Sequence, residues 1–193
     1  MTTTIDAKAA APSPDLRWRT RDVVVAAVIG VAFGVAFVLV NGPWAALAGL
    51  GPLQNIFYAV WLLPAIVAPL IIRKPGAAIF AEVVAAALSA FLGSVWGVDT
   101  LLSGVMQGAA AEVVFAATRY RSYGPVTLGV AGFASATAAF VHDVYFYYSG
   151  YATDVLLLIA LWMAISGAII LPIVAIALVR ALRSTGVLDG FPA

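Results

Sequence analysis

The sequence predicts an all-α integral membrane protein with six transmembrane helices and both termini on the cytoplasmic side. Three observations carry that prediction. Hydrophobic residues fill 64% of the 193 positions and charged residues only 10%, with a mean hydropathy of +1.06, whereas soluble domains are about a quarter charged. The apolar residues run continuously instead of alternating, the pattern of spanning helices and not of barrel strands. All ten Lys and Arg residues fall in the terminal segments or in every second connection, which by the positive-inside rule fixes an orientation.

Residues 1–16, MTTTIDAKAAAPSPDL, are polar and rich in Pro and Ala, and they lack the apolar stretch and cleavage site of a signal peptide. They read as a disordered cytoplasmic tail. A six-helix domain follows over 17–183, with expected spans at 22–41, 56–72, 76–98, 101–118, 124–148 and 155–180, and then a cytoplasmic tail over 184–193. Each span is close to the roughly 20 residues that cross about 30 Å of hydrocarbon, and Gly, Pro or charge separates it from the next.

The basic residues mark one side. Lys8, Arg17, Arg19 and Arg21 precede the first span, Arg73 and Lys74 join spans two and three, Arg119 and Arg121 join four and five, and Arg180 and Arg183 close the sixth. The other connections carry Asp99 and Asp154 but neither Lys nor Arg. The longest of these, 41–55, is uncharged, with two Gly-Pro pairs and Trp44; it is either a lid over an outward site or a plain loop. Pro64, Pro69 and Pro172 lie inside spans, where neighbouring helices satisfy the freed carbonyls. No internal repeat is evident, which weighs against an inverted-repeat transporter.

Polar residues inside the spans are the functional candidates, because a carboxylate at a helix centre costs about 2.5–3.5 kcal/mol even on the lenient insertion scale. Glu82 and Glu112 are the two that most need a reason. Glu82, Ser89 and Trp96 recur at intervals of seven and lie within about 40° of one another on a helix. Gln54, Tyr58 and Trp61 form a similar stripe on the second span, and Ser103 and Gln107 share a face of the fourth. Glu112 is five residues from Gln107, about 140° around the helix. His142 and Asp143 open an aromatic run through Tyr148, which fits either a headgroup belt or the mouth of a pocket. Carboxyls among several aromatic faces suit a flat, nitrogen-rich ligand, by paired hydrogen bonds and stacking or cation-π contact.

In the first span, Ala26, Gly30 and Gly34 make one small-residue stripe, and Ala32 and Ala36 another. Such stripes let helices approach closely, either inside the bundle or against a partner.

Several chemistries are excluded or disfavoured. The absence of cysteine removes disulfides and thiolate chemistry, and a single His leaves a metal site short of ligands. No P-loop, GxSxG or HExxH motif occurs, and topology accounts for the positive charge that nucleic-acid binding would need. The chain has a binding site but no engine of its own and no cofactor.

The run Ile72-Arg73-Lys74-Pro75-Gly76-Ala77-Ala78 followed by Ala81-Glu82, the Gly93-Ser94-Val95-Trp96-Gly97 turn, and Gln107-Gly108-Ala109-Ala110-Ala111-Glu112 leading to Arg119-Tyr120-Arg121 closely resemble the YkoE family. The resemblance covers nearly the whole chain from Trp18. It implies a substrate-binding S component of an energy-coupling factor ABC importer, for thiamin or its hydroxymethylpyrimidine precursor, working with a transmembrane coupling protein and two cytosolic ATPases. On that reading Glu82 anchors the aminopyrimidine, Trp96, Trp61 and Tyr58 stack on it, and Gln107, His142 and Glu112 add polar contacts. Gly30, Ala32, Gly34 and Ala36 match the small-residue helix that docks on the coupling protein. The alternatives are an S component for another vitamin such as riboflavin, a proton-coupled secondary transporter, and an assembly protein without a ligand.

Overall fold

The computed structural model describes residues 16–192, and among them there is no strand. The expected tail over 1–16, with Lys8, lies outside the described residues except for its last position.

Helix α1 (Thr20–Ala46) starts where the Asp22 carboxylate accepts the Arg19 N–H at 2.9 Å. It runs past the expected end at 41 and through Pro43. A tighter 3-10 stretch, Leu47–Leu62, continues the path and is broken at Gly51, whose φ of 56° and ψ of −137° turn the chain back. Only glycine adopts such angles at little cost. Residues 41–55, expected to be a loop or a lid, are therefore mostly helical.

Helix α2 (Leu63–Ile72) is buried along its whole length, packed against α1, α3 and α7. Pro64 sits in its first turn, where no ladder bond is lost, and the left-handed Arg73 ends it at φ 55°. Helix α3 (Ala77–Phe91) has 15 residues, about 22 Å, and is shorter than the expected 76–98. Gly93 and Gly97, at φ 89° and 59°, release the chain into turns before α4 (Asp99–Ala117). Helix α5 spans Pro125–Phe146. The last expected span is three pieces in one rod: α6 (Thr153–Ile165), a π turn (Ser166–Ile170) and α7 (Leu171–Ser184).

Backbone-to-backbone contacts set the packing. A Cβ on Gly30 would meet Val84 at 2.6 Å, and one on Gly34 would meet the Ala85 carbonyl at 2.9 Å. The stripe Ala26, Gly30 and Gly34 is thus the seam between α1 and α3. This corrects the docking expectation for Gly30 and Gly34: their faces are covered inside the bundle, while Ala32 is exposed and Ala36 half-buried on the outer side. Gly104 and Gly108 seat α4 on α3 in the same manner, against Ala86 and Ile79. The closest crossing is Gly132 on Gly167, where a Cβ at position 132 would lie 2.1 Å from the Gly167 carbonyl oxygen.

The basic junctions gather at one end. The Trp18 indole N–H donates to the Pro75 carbonyl at 2.8 Å, the Arg21 guanidinium lies 4.8 Å above the Phe191 ring, and that of Arg73 lies 5.2 Å above Tyr123. Four separate stretches of sequence are joined there.

Candidate functional site

At the opposite end, a cavity of about 680 Å³, its open mouth included, lies between α1, the 3-10 stretch, α3, α4 and α5. Six of the seven sequence candidates line it: Glu82, Trp96, Gln107, Trp61, Tyr58 and His142.

Glu82 forms the floor. One carboxylate oxygen accepts the Ala65 N–H at 3.0 Å. The local reason is helical: Pro64 has no N–H, so Ala65 carries an orphan donor in the first turn of α2, and an acceptor from outside the helix satisfies it. Glu82 is 1% exposed, yet it borders the cavity. Ser89, two turns further along α3, lines the same wall. The Gln107 side-chain amide donates to Ser103 Oγ at 2.6 Å, and its backbone carbonyl accepts from Ser135 Oγ at 2.7 Å.

The aromatic wall comes from the 3-10 stretch and α1. Trp44 and Trp61 meet edge to face at 4.5 Å, and Tyr58 packs 5.5 Å from Trp61. Ser166, at the start of the π turn, accepts the Ala59 N–H and donates to the Ile56 carbonyl, both at 2.8 Å, which fixes the segment bearing Tyr58. Gln54, expected on the same stripe, instead donates to the Trp44 carbonyl at 2.6 Å. Trp96 enters from the turn beyond α3 and stands 5.0 Å from Tyr147.

A chain of polar contacts closes the outer side. The Tyr58 hydroxyl donates to Asp143 at 2.9 Å, His142 Nδ1 lies 2.9 Å from the other Asp143 oxygen, and Nε2 lies 3.1 Å from Asp99. Tyr147 donates its hydroxyl to the second oxygen of Asp99. Asp143, open in the sequence between the headgroup belt and a pocket mouth, and Asp99, expected in a connection, thus join His142 as wall residues. Their signal was the His-Asp pair beside an unexplained charge at the start of α4. Trp44 also belongs to the wall; its signal was a tryptophan in a long uncharged connection.

Glu112 is the exception and corrects the expectation. It does not border the cavity but accepts the Gly76 N–H at 2.5 Å, the Ala78 N–H at 3.0 Å and the Tyr120 hydroxyl at 2.9 Å. The 140° offset from Gln107 points it at the start of α3, which it caps from a neighbouring helix. Burial, and then the bond to Glu112, push the Tyr120 phenol up to about 12. Burial, with Arg183 nearby, lowers Arg73 from its ordinary value.

The sequence matches the model of a family described as "ABC-type cobalt transport system, permease component" over residues 21–138. It is 35% identical over 176 residues to YkoE of Bacillus subtilis (strain 168), provisionally named an HMP/thiamine permease protein, covering 90% of this chain and 88% of that one. A crystal structure described as an S-component of an ECF transporter superposes with a TM-score of 0.85 at 34% identity, covering 90% of each chain. These relatives are transport components, and among the described residues four helical runs are long and apolar enough to cross a bilayer. The chain therefore belongs to the YkoE family of energy-coupling factor S components, as a multi-pass protein of the cytoplasmic membrane.

Proposed function

We propose that the cavity binds thiamin or hydroxymethylpyrimidine and that the chain delivers it for uptake driven by ATP hydrolysis on partner subunits. The observation that carries this reading is Glu82, a buried carboxylate with one oxygen held by a backbone N–H, at the floor of an aromatic cavity. An aminopyrimidine edge offers that carboxylate a flat donor face, and Trp61, Tyr58 and Trp96 offer rings to stack on. The name of the Bacillus subtilis relative points to the same ligands.

The same reading takes six membrane crossings, with the basic end and both termini in the cytoplasm. The helical run Thr20–Ile72, 53 residues long and reversed at Gly51, then counts as two crossings, and α3 reaches across with the turn that follows it. The exposed face of α1 with Ala32, Val28 and Leu39 is the surface offered to the coupling protein, which two cytosolic ATPases complete. Trp44 and the stretch before Gly51 act as the lid.

A divalent cation is the second reading, favoured by the description of the matching family and by His142 standing between Asp99 and Asp143. Against it, no three His, Asp or Glu side chains are grouped to hold an ion among the described residues. Thermal-shift and native mass spectrometry on the purified chain, with thiamin, hydroxymethylpyrimidine, riboflavin and Co²⁺, separate the readings. Stabilisation by either of the first two supports the proposal. A folded protein that responds only to riboflavin or only to the metal refutes it.

A further inference from the structure

The charges around the cavity are unevenly distributed by sign and by depth. Three carboxylates line it, Glu82, Asp99 and Asp143, and neither Lys nor Arg does. The one basic group, His142, is held between the two aspartates. Two carboxylates against one imidazole leave that cluster at least one negative charge, whichever protonation state the ring takes. Two of the nearby hydroxyl donors are already engaged, Tyr58 donating to Asp143 and Tyr147 to Asp99, while Tyr148 and Thr100 also line the cavity.

Depth separates this cluster from Glu82. Glu82 lies nine residues before the end of α3 at Phe91, about 14 Å along its axis. Asp99 opens α4, and His142 and Asp143 lie in the last turns of α5, both at the outer end. A ligand anchored on Glu82 and extending toward the mouth therefore brings its far end to Asp99 and Asp143, beside the Trp96 and Tyr147 rings.

We propose that the Asp99–His142–Asp143 cluster is a charge filter that admits a ligand whose far end is neutral or cationic and rejects phosphate esters. The inference rests on the binding reading above and adds the substrate form. A phosphate monoester carries close to two negative charges near neutral pH and asks for several donors, whereas this mouth offers two carboxylates and no Lys or Arg among the described residues, and two of its hydroxyls are already committed to those carboxylates. A low-dielectric wall preserves the repulsion that bulk water would screen. A cationic ring gains from the same charges and from the adjacent aromatic faces. Free thiamin fits and its mono- and diphosphates do not, so a phosphatase-type hydrolysis outside the membrane must precede uptake of the esters.

The test is calorimetric titration of the purified full chain with thiamin, thiamin monophosphate and thiamin diphosphate. The expected result is that the monophosphate binds about 100-fold or more weakly than thiamin, with the gap narrowing as salt rises from about 0.05 M to 0.5 M. Asp99→Asn is expected to close that gap by about tenfold, and Asp143→Asn provides the same measurement if the first variant does not fold. Wild-type binding of the monophosphate within about threefold of thiamin overturns the filter while leaving the binding reading intact. A folded variant with an unchanged ratio does the same. Failure of thiamin itself to bind removes the filter, and failure of hydroxymethylpyrimidine as well removes the binding reading.

Discussion

Glu82 and Glu112 do the same structural work at two depths of the bundle: each accepts backbone N–H groups from the first turn of a neighbouring helix, Glu82 from Ala65 of α2, Glu112 from Gly76 and Ala78 at the start of α3. The difference is what else each carboxylate meets. Glu112 is completed by Tyr120, whereas Glu82 faces a cavity. One buried carboxyl group is used up by the fold and the other remains available for a ligand.

Glu82→Gln keeps an oxygen for the Ala65 N–H but replaces the other carboxyl oxygen with an amide NH2. Its melting temperature is expected to stay near wild type while ligand affinity falls about 10- to 100-fold, read by calorimetry and thermal melts on one preparation. Glu82→Ala leaves the N–H orphaned and should cost about 1–3 kcal/mol of stability as well.

Glu112→Ala should behave in the opposite way. Three donors lose their acceptor, so the apo protein is expected to lose about 1–3 kcal/mol, with ligand affinity within about threefold of wild type. A large loss of affinity in a folded Glu112→Ala protein would return this residue to the binding site.

Tyr120 provides a pH signature at the basic end. Its phenol is raised from 10.0 to about 12, by burial first and by the bond to Glu112 second. Above the unfolded value the unfolded chain gives up a proton that the folded chain keeps, so this contribution to stability is intact below about pH 10 and lost as pH rises toward 12. The difference in phenolate absorbance between the protein and its Tyr120→Phe variant should show a late titration that moves earlier in Glu112→Gln.

Gly167→Ala places a Cβ 2.4 Å from the Gly132 carbonyl oxygen, a backbone atom that cannot swing aside. The expected cost is about 3 kcal/mol or more, seen as poor expression or a broad elution profile. Gly49→Ala, with open space at the same atom, is the control and should be close to neutral.

Much of the fold could be read from the sequence because bilayer constraints are strong: a spanning helix must be apolar and long, and the basic residues gather at its ends. What could not be read depended on side-chain direction. Small residues at 26, 30 and 34 look alike whether they face a partner or α3, and only the packed bundle distinguishes them. The end of α3 was misjudged because Leu92, Val95 and Val98 are as apolar as the helix, although Gly93 and Gly97 turn the chain. In the site, periodicity found the α3 and 3-10 walls, but Asp99 and Asp143 needed contacts 43 and 85 positions apart in sequence. For Glu112, intramembrane position alone does not distinguish capping from binding, and the angle from Gln107 is the signal that separates the two.

Helix α2 has no lipid-facing side, and α7, one of the helices that enclose it, is the last to be synthesised. During biogenesis α2 leaves the ribosome with Leu63 to Ile72 surrounded by lipid or by the insertion machinery, and it cannot reach its final environment until the far end of the chain has been made. Until then the α2 start that Glu82 caps lacks its outer wrapping, so a competent cavity is a late product of assembly. Chains arrested before Leu171 should therefore insert into the membrane yet hold no ligand.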